Sequence, residues 1–153
     1  MTKLITRLLK YGTIASTYLL VASVLLQIFA RFFLPNTPAW TEEASRLFFV
    51  YAISFAAGLA LRDNAYVYLE FFYDRLPSAI RRVLQVLIPI STFLLFLCMA
   101  YYTVSFVMLG HLEHSPSMKF EMSYVFASMF ILAITMTFFA GKDVLNQLTQ
   151  RRS

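Results

Sequence analysis

Apolar residues fall into four long runs along the chain, and charged residues mark where each run begins and ends. Twenty uncharged residues lie between Lys10 and Arg31, fifteen between Arg46 and Arg62, twenty-seven from Val83 to Leu109 and twenty from Met122 to Gly141. About 20 consecutive apolar residues in a helix cross a hydrocarbon layer roughly 30 Å thick, so three of the runs are long enough as they stand. The second is long enough if its helix begins earlier, at Pro38. The third is longer than a crossing needs, which predicts tilt, or a kink at Pro89. The pattern predicts an all-α integral membrane protein. Its four transmembrane helices fall at about 11–33, 38–62, 78–109 and 122–141, within a single membrane domain spanning 1–153.

The stretch from Pro35 to Arg62 changes character along its length. Thr37 followed by Pro38 reads as an N-cap and a first helical position. Glu42 and Glu43 then fall in the early turns, where the positive end of the helix dipole favours acids. Glu42 lies i,i+4 and Glu43 i,i+3 from Arg46, so the three charges can share a face. After Arg46 the helix carries no charge until Arg62. In that span Ala52, Ala56 and Ala60 recur every fourth residue, as do Ser54 and Gly58. Small residues at this spacing let another helix approach closely inside a bilayer, and these five positions form the predicted packing face.

The connection after the second run has its own pattern. In residues 65–76, Tyr66, Leu69, Phe72, Tyr73 and Leu76 fall on one helical face and Glu70 and Asp74 on the other. That predicts a short amphipathic helix lying in the membrane interface, ended by Pro77. The residues from Asn146 onward read as a polar tail.

Composition narrows the class. Of 153 residues, 59% are hydrophobic and 14% charged, against roughly 25% charged in a soluble domain. So small a chain cannot hide that apolar excess in its own core, which leaves lipid as the solvent. The net charge of +5 does not indicate nucleic acid, because the basic residues cap apolar runs instead of sharing one soluble face. Their distribution sets orientation instead. Ten Lys and Arg lie on the N-terminal segment, the 62–82 connection and the C-terminal segment, against Arg31, Arg46 and Lys119 on the other side. Both termini are therefore expected in the cytoplasm, N-in and C-in. Lys3, Arg7 and Lys10 resemble the start of a signal peptide, but the apolar run is long for one. Gln27 to Arg31 also offers no small-x-small cleavage site, so the run is expected to remain as a helix.

Candidate chemistry is sparse. Cys98 is the single cysteine, placed in an apolar run and read as a small packing residue. His111, Glu113 and His114 lack the i,i+4 His pair of a helical zinc site, so no metal is expected. No His lies inside a helix to ligate a haem. No nucleophile–base pair is evident, so no catalytic residue and no enzyme are expected. Trp40 reads as an interfacial anchor. Arg31 has two open readings: an ion pair with Glu42 or Glu43 that fixes helix one against helix two, or snorkelling to the interface. Every Asp, Glu, Lys and Arg sits at the edge of a run, whereas a coupled transporter carries an ionisable group at membrane depth. The Glu42, Glu43 and Arg46 cluster is read as structural salt bridges or a contact for another protein.

A specific order of residues runs from Arg31 to Pro77. Arg31 closes helix one, a short Pro-bearing loop follows, and then come W-x-E-E-x-x-R (Trp40, Glu42, Glu43, Arg46), FFV and a Gly-containing small-residue helix ending at Arg62. Val67, Leu69 and Glu70 come next, then Leu76-Pro77 before the long third helix. This resembles the small membrane subunit of tripartite ATP-independent periplasmic (TRAP) transporters, the DctQ/SiaQ type. Beyond Pro77 the likeness rests on hydropathy and the Ser115-Pro116 loop. One departure is Tyr66, where the family commonly has His.

The resemblance implies a scaffold subunit in the bacterial inner membrane, partnered by a large DctM/SiaM-type membrane subunit and a periplasmic substrate-binding protein. Together they would import an organic acid, such as sialic acid or a C4-dicarboxylate, on a sodium gradient coupled in the large subunit. This chain would need no cofactor. Glu42, Glu43 and Arg46 would lie at the periplasmic surface, where the binding protein docks. The alternative is a stand-alone four-helix exporter acting as a homodimer, which would require a membrane-embedded acid.

Overall fold

The computed structural model describes residues 2–34, 38–63 and 77–150. Four helices make up nearly all of it: α1 Thr2–Phe33, α2 Trp40–Arg62, α3 Ser78–Gly110 and α4 Ser123–Gln150. Each contains a window long and apolar enough to cross a membrane. The expected Thr37 cap and the expected interfacial helix at 65–76 lie outside the described residues.

Helix ends differ from the hydropathy limits because a helix does not stop where a membrane does. Helix α1 begins at Thr2, so Lys3, Arg7 and Lys10 ride on its first turns. At 1.5 Å per residue it is ~48 Å long, well over the thickness of a hydrocarbon core. Helix α4 likewise runs on through Gln150, so residues 147–150 of the polar tail are helical. Helix α2 starts at Trp40, two residues later than Pro38. The turn before it is closed by Thr41, whose N–H and hydroxyl both donate to the Pro38 carbonyl, at 3.2 and 2.8 Å. Helix α3 is continuous through Pro89. Proline costs it one backbone rung, and the flanking turns carry the helix on.

The principal contacts run α1 on α2, α2 on α4 and α4 on α3. In space the helices therefore stand in a row, α1–α2–α4–α3, with the second and fourth in the middle. Small residues make the seams. The buried residues of α1 are Leu9, Ser16, Ser23 and Ala30, spaced by seven. A strict seven-residue repeat keeps one stripe facing a neighbour along a shallow left-handed crossing. Helix α4 buries Ser128, Ala133, Thr135, Met136, Phe139 and Ala140. Seam hydroxyls bond within their own helix: Ser23 to the Leu19 carbonyl at 2.8 Å, Ser54 to Val50 at 2.7 Å and Thr135 to Ile131 at 2.8 Å. Among the described residues no buried side-chain polar atom lacks a partner. The backbones can close up without leaving an unsatisfied group in an apolar medium.

Glycine marks the tightest crossings. A Cβ added at Gly58 would stand 3.0 Å from both Cβ and Oγ1 of Thr135 and 3.3 Å from Leu9 Cδ1. At Gly110 it would stand 2.5 Å from the Ser123 nitrogen, where the end of α3 meets the start of α4. The outer faces of the end helices are the reverse case. Leu8, Tyr18, Leu25 and Phe32 on α1, and Leu87, Leu95, Tyr101 and Met108 on α3, are large, apolar and exposed. Cys98 lies on this exposed surface of α3, so it is not a packing residue within the chain.

Candidate functional site

The charged start of α2 and the α3–α4 loop come together at one end of the row. The loop is short and ordered by its own backbone. Met122 N–H donates to the Glu113 carbonyl at 2.9 Å, Ser115 N–H to Phe120 at 2.8 Å and Lys119 N–H to Ser115 at 3.1 Å. Lys119 takes a left-handed conformation, φ 55°, to close the turn.

Glu43 holds this loop. One carboxylate oxygen accepts the Met118 N–H at 2.9 Å and the Ser115 hydroxyl, and the other accepts the Ser117 N–H at 3.0 Å. Ser115 is 4% exposed, so its hydroxyl is committed to this contact. Hydrogen bonds to an ionised acceptor are the strong kind, and the acid also sits in the first turn of α2, where the helix dipole favours it. Two turns further on, the Tyr51 hydroxyl donates to the Tyr124 carbonyl at 2.7 Å. Side chains of α2 thus fasten the α3–α4 hairpin at two levels.

Glu42 has a different task. It pairs with Arg46 at 2.7 Å, both side chains well exposed, 59% and 76%. Glu43 makes no direct ion pair with Arg46, so the three expected partners divide into a surface pair and a loop clamp. Arg31 is exposed, and among the described residues it pairs with neither Glu42 nor Glu43. Trp40 is 44% exposed beside them. On the packing face Ser54 and Gly58 are buried, whereas Ala52, Ala56 and Ala60 are partly covered on the other side of the helix. The Ser54–Gly58 face meets Leu9 and Thr135 of this same chain.

His111, Glu121 and Ser123 form a cluster that their scattered positions do not announce. His111 Nδ1 lies 2.5 Å from a Glu121 carboxylate oxygen, and Ser123 Oγ lies 3.4 Å from His111 Nε2. The order is that of a hydrolytic triad, but Ser123 is 6% exposed, which closes its hydroxyl to a substrate. The cluster ties the loop to the first residue of α4. His114 contributes backbone pairing to Glu121, and among the described residues no three metal-ligating side chains converge. Ser115, Ser117 and Met118 are the residues that sequence reasoning missed here. The presence of Ser115 just before Pro116 is the one signal that could have pointed to them.

A family model of the DctQ component of tripartite ATP-independent periplasmic transporters matches residues 20–150. The chain belongs to this family. A putative TRAP transporter small permease protein of Haemophilus influenzae is 24% identical over 136 residues, 89% of this chain and 82% of the relative. The sialic acid TRAP transporter small permease protein SiaQ of Vibrio cholerae is 29% identical over 89 residues, 58% of this chain and 51% of that one. The ectoine TRAP transporter small permease protein TeaB of Halomonas elongata is 27% identical over 90 residues, 59% of this chain and 47% of that one. With the last two, the match spans about half of the relative's length. DctQ-family membership makes this chain a transporter component and not an enzyme.

Proposed function

We propose that this chain is the fixed scaffold subunit of a sodium-driven importer in the bacterial inner membrane, with both termini in the cytoplasm. Its partners would be a large DctM/SiaM-type membrane subunit and a periplasmic binding protein that delivers an organic acid. The observation that carries this reading is the absence of charge from the middle of all four apolar runs, in a chain that the family match makes part of a transporter. A subunit that moved ions or acids would need an ionisable group at membrane depth. Such a group is expected in the large subunit, with sodium coupling and substrate selection. The small-residue seams fit a rigid row, and its exposed apolar end helices leave surface for a larger membrane partner or lipid. A homodimeric exporter is not favoured, because it needs the embedded acid that these runs lack.

On this reading the 62–82 connection faces the cytoplasm, with residues 65–76 along the membrane interface, and the Glu43 loop clamp faces the periplasm. There Glu42, Arg46 and Trp40 are available to the binding protein while Glu43 shapes the loop beside them. Cells lacking this chain are expected to lose sodium-dependent uptake of one organic acid, tested over sialic acid and C4-dicarboxylates, and to regain it when the chain is restored. Uptake of every candidate acid unchanged by the deletion would overturn the proposal.

A further inference from the structure

At the end of α2 opposite the loop clamp, a cavity of about 720 Å³ opens between the first turns of α1 and the last turn of α2. Lys3, Arg7, Lys10 and Arg62 line it, together with Thr6 and Tyr11. The three α1 cations recur at i, i+4 and i+7 and so form one stripe, and Arg62 closes it from the neighbouring helix. Among the described residues, only Arg62 of these four cations is in an ion pair, with Asp63 at 2.5 Å. The bias of cations toward one side of a membrane accounts for basic residues at this end. It does not account for their convergence on one cavity from two helices.

The surroundings are apolar. Ile14 lines the cavity one turn beyond Lys10 and is 45% exposed, and Tyr18, one turn further along the same face of α1, is 77% exposed. We propose that the cavity holds the phosphate of an anionic phospholipid, its acyl chains running along Ile14 and Tyr18. The guanidinium fork of Arg7 suits phosphate oxygens, the two lysines and Arg62, whose Nε and one Nη bond Asp63, add charge, and Thr6 and Tyr11 offer hydroxyls to the headgroup. Basic pockets between membrane helices recognise such headgroups. A free phosphate ion presents the same oxygens but leaves the adjoining apolar strip uncovered.

The test uses the intact chain purified in neutral detergent, with lipid adducts counted by native mass spectrometry. Phosphatidylglycerol is expected to bind at least about tenfold more tightly than phosphatidylcholine. Combining Lys3→Gln, Arg7→Gln and Lys10→Gln removes that preference, and Arg7→Gln alone reduces it, with the helical circular dichroism spectrum unchanged. Arg31→Gln, an exposed cation at the other end of α1, leaves it intact. Millimolar inorganic phosphate does not displace the lipid. Equal binding of the two lipids, or an unaltered preference in the folded triple variant, overturns the site. Full displacement by inorganic phosphate overturns the lipid assignment and makes it a site for the free ion.

Discussion

Replacing Gly110 with alanine probes the tightest point of the structure. Its Cβ would stand 2.5 Å from the Ser123 nitrogen and 2.7 Å from both Ser123 Cα and Phe126 Cδ2. Carbon atoms pack at about 3.5–4.0 Å, so the end of α3 and the start of α4 must separate by roughly 1 Å. The obstacle is mostly backbone, and the loop between the helices is fixed by its own hydrogen bonds and by Glu43. The strain therefore has no side chain to absorb it. Overpacking of this kind costs about 1–3 kcal/mol, offset by less than ~1 kcal/mol from the better helix propensity of alanine. A net loss of about 1–2 kcal/mol corresponds to a fall of roughly 2–8 °C in melting temperature for a chain of this size. Gly12→Ala is the internal control, because its Cβ would meet the Phe55 ring at 2.9–3.0 Å and a ring can swing aside. Thermal unfolding in neutral detergent, followed by intrinsic fluorescence, should show Gly110→Ala well below wild type and Gly12→Ala within ~2 °C of it. A Gly110→Ala protein as stable as wild type, or an equal fall in both variants, would show that the backbone contact at Gly110 does not limit stability.

Three further outcomes follow from the same contacts. Glu43→Ala removes the acceptor of the Ser117 amide and leaves the Met118 amide only the Ser115 hydroxyl at 3.4 Å, so their hydrogen exchange should accelerate while amides in the middle of α2 stay protected. Unchanged protection at both amides would count against the clamp. Glu42→Ala removes only an exposed i,i+4 pair, and the melting temperature should move by no more than ~1–2 °C. Gly58→Leu drives a branched side chain into Thr135 and Leu9, and the isolated chain should lose about 1–3 kcal/mol or more, measured by the same unfolding assay. A normal melting temperature for that variant would mean that the face does not pack within the chain.

How much of this was legible follows from which forces the residues report. The four helices could be read because charge is expensive in lipid, so Lys10, Arg31, Arg46, Arg62 and the basic residues near 81 bracket the runs. The helix ends were less legible, since Lys3, Arg7, Lys142 and Asp143 are compatible with helix once outside the hydrocarbon. The α1 seam could not be seen by hydropathy at all. Leu9, Ser16, Ser23 and Ala30 share a heptad spacing but neither a common size nor a common polarity. Nor does periodicity say which helices are neighbours, so the α1–α2–α4–α3 order came only from the fold. At the charged end, Glu42 pairs with Arg46 at the i,i+4 spacing. The same rule paired Glu43 with Arg46, whereas its direct partners lie 72 to 75 residues further along the chain. Family likeness was readable from the Trp40–Arg46 motif and its flanks, because these residues combine chemistry with order.

A scaffold within a larger transporter is defined by what it holds on to. The chain would be tagged, purified from its native membrane in mild detergent, and its stoichiometric companions identified. One very hydrophobic partner, much larger than this chain and in equal amount, is expected, and its recovery supports sodium-driven uptake with the binding protein. A clean homodimer, stable without any such partner, would contradict it.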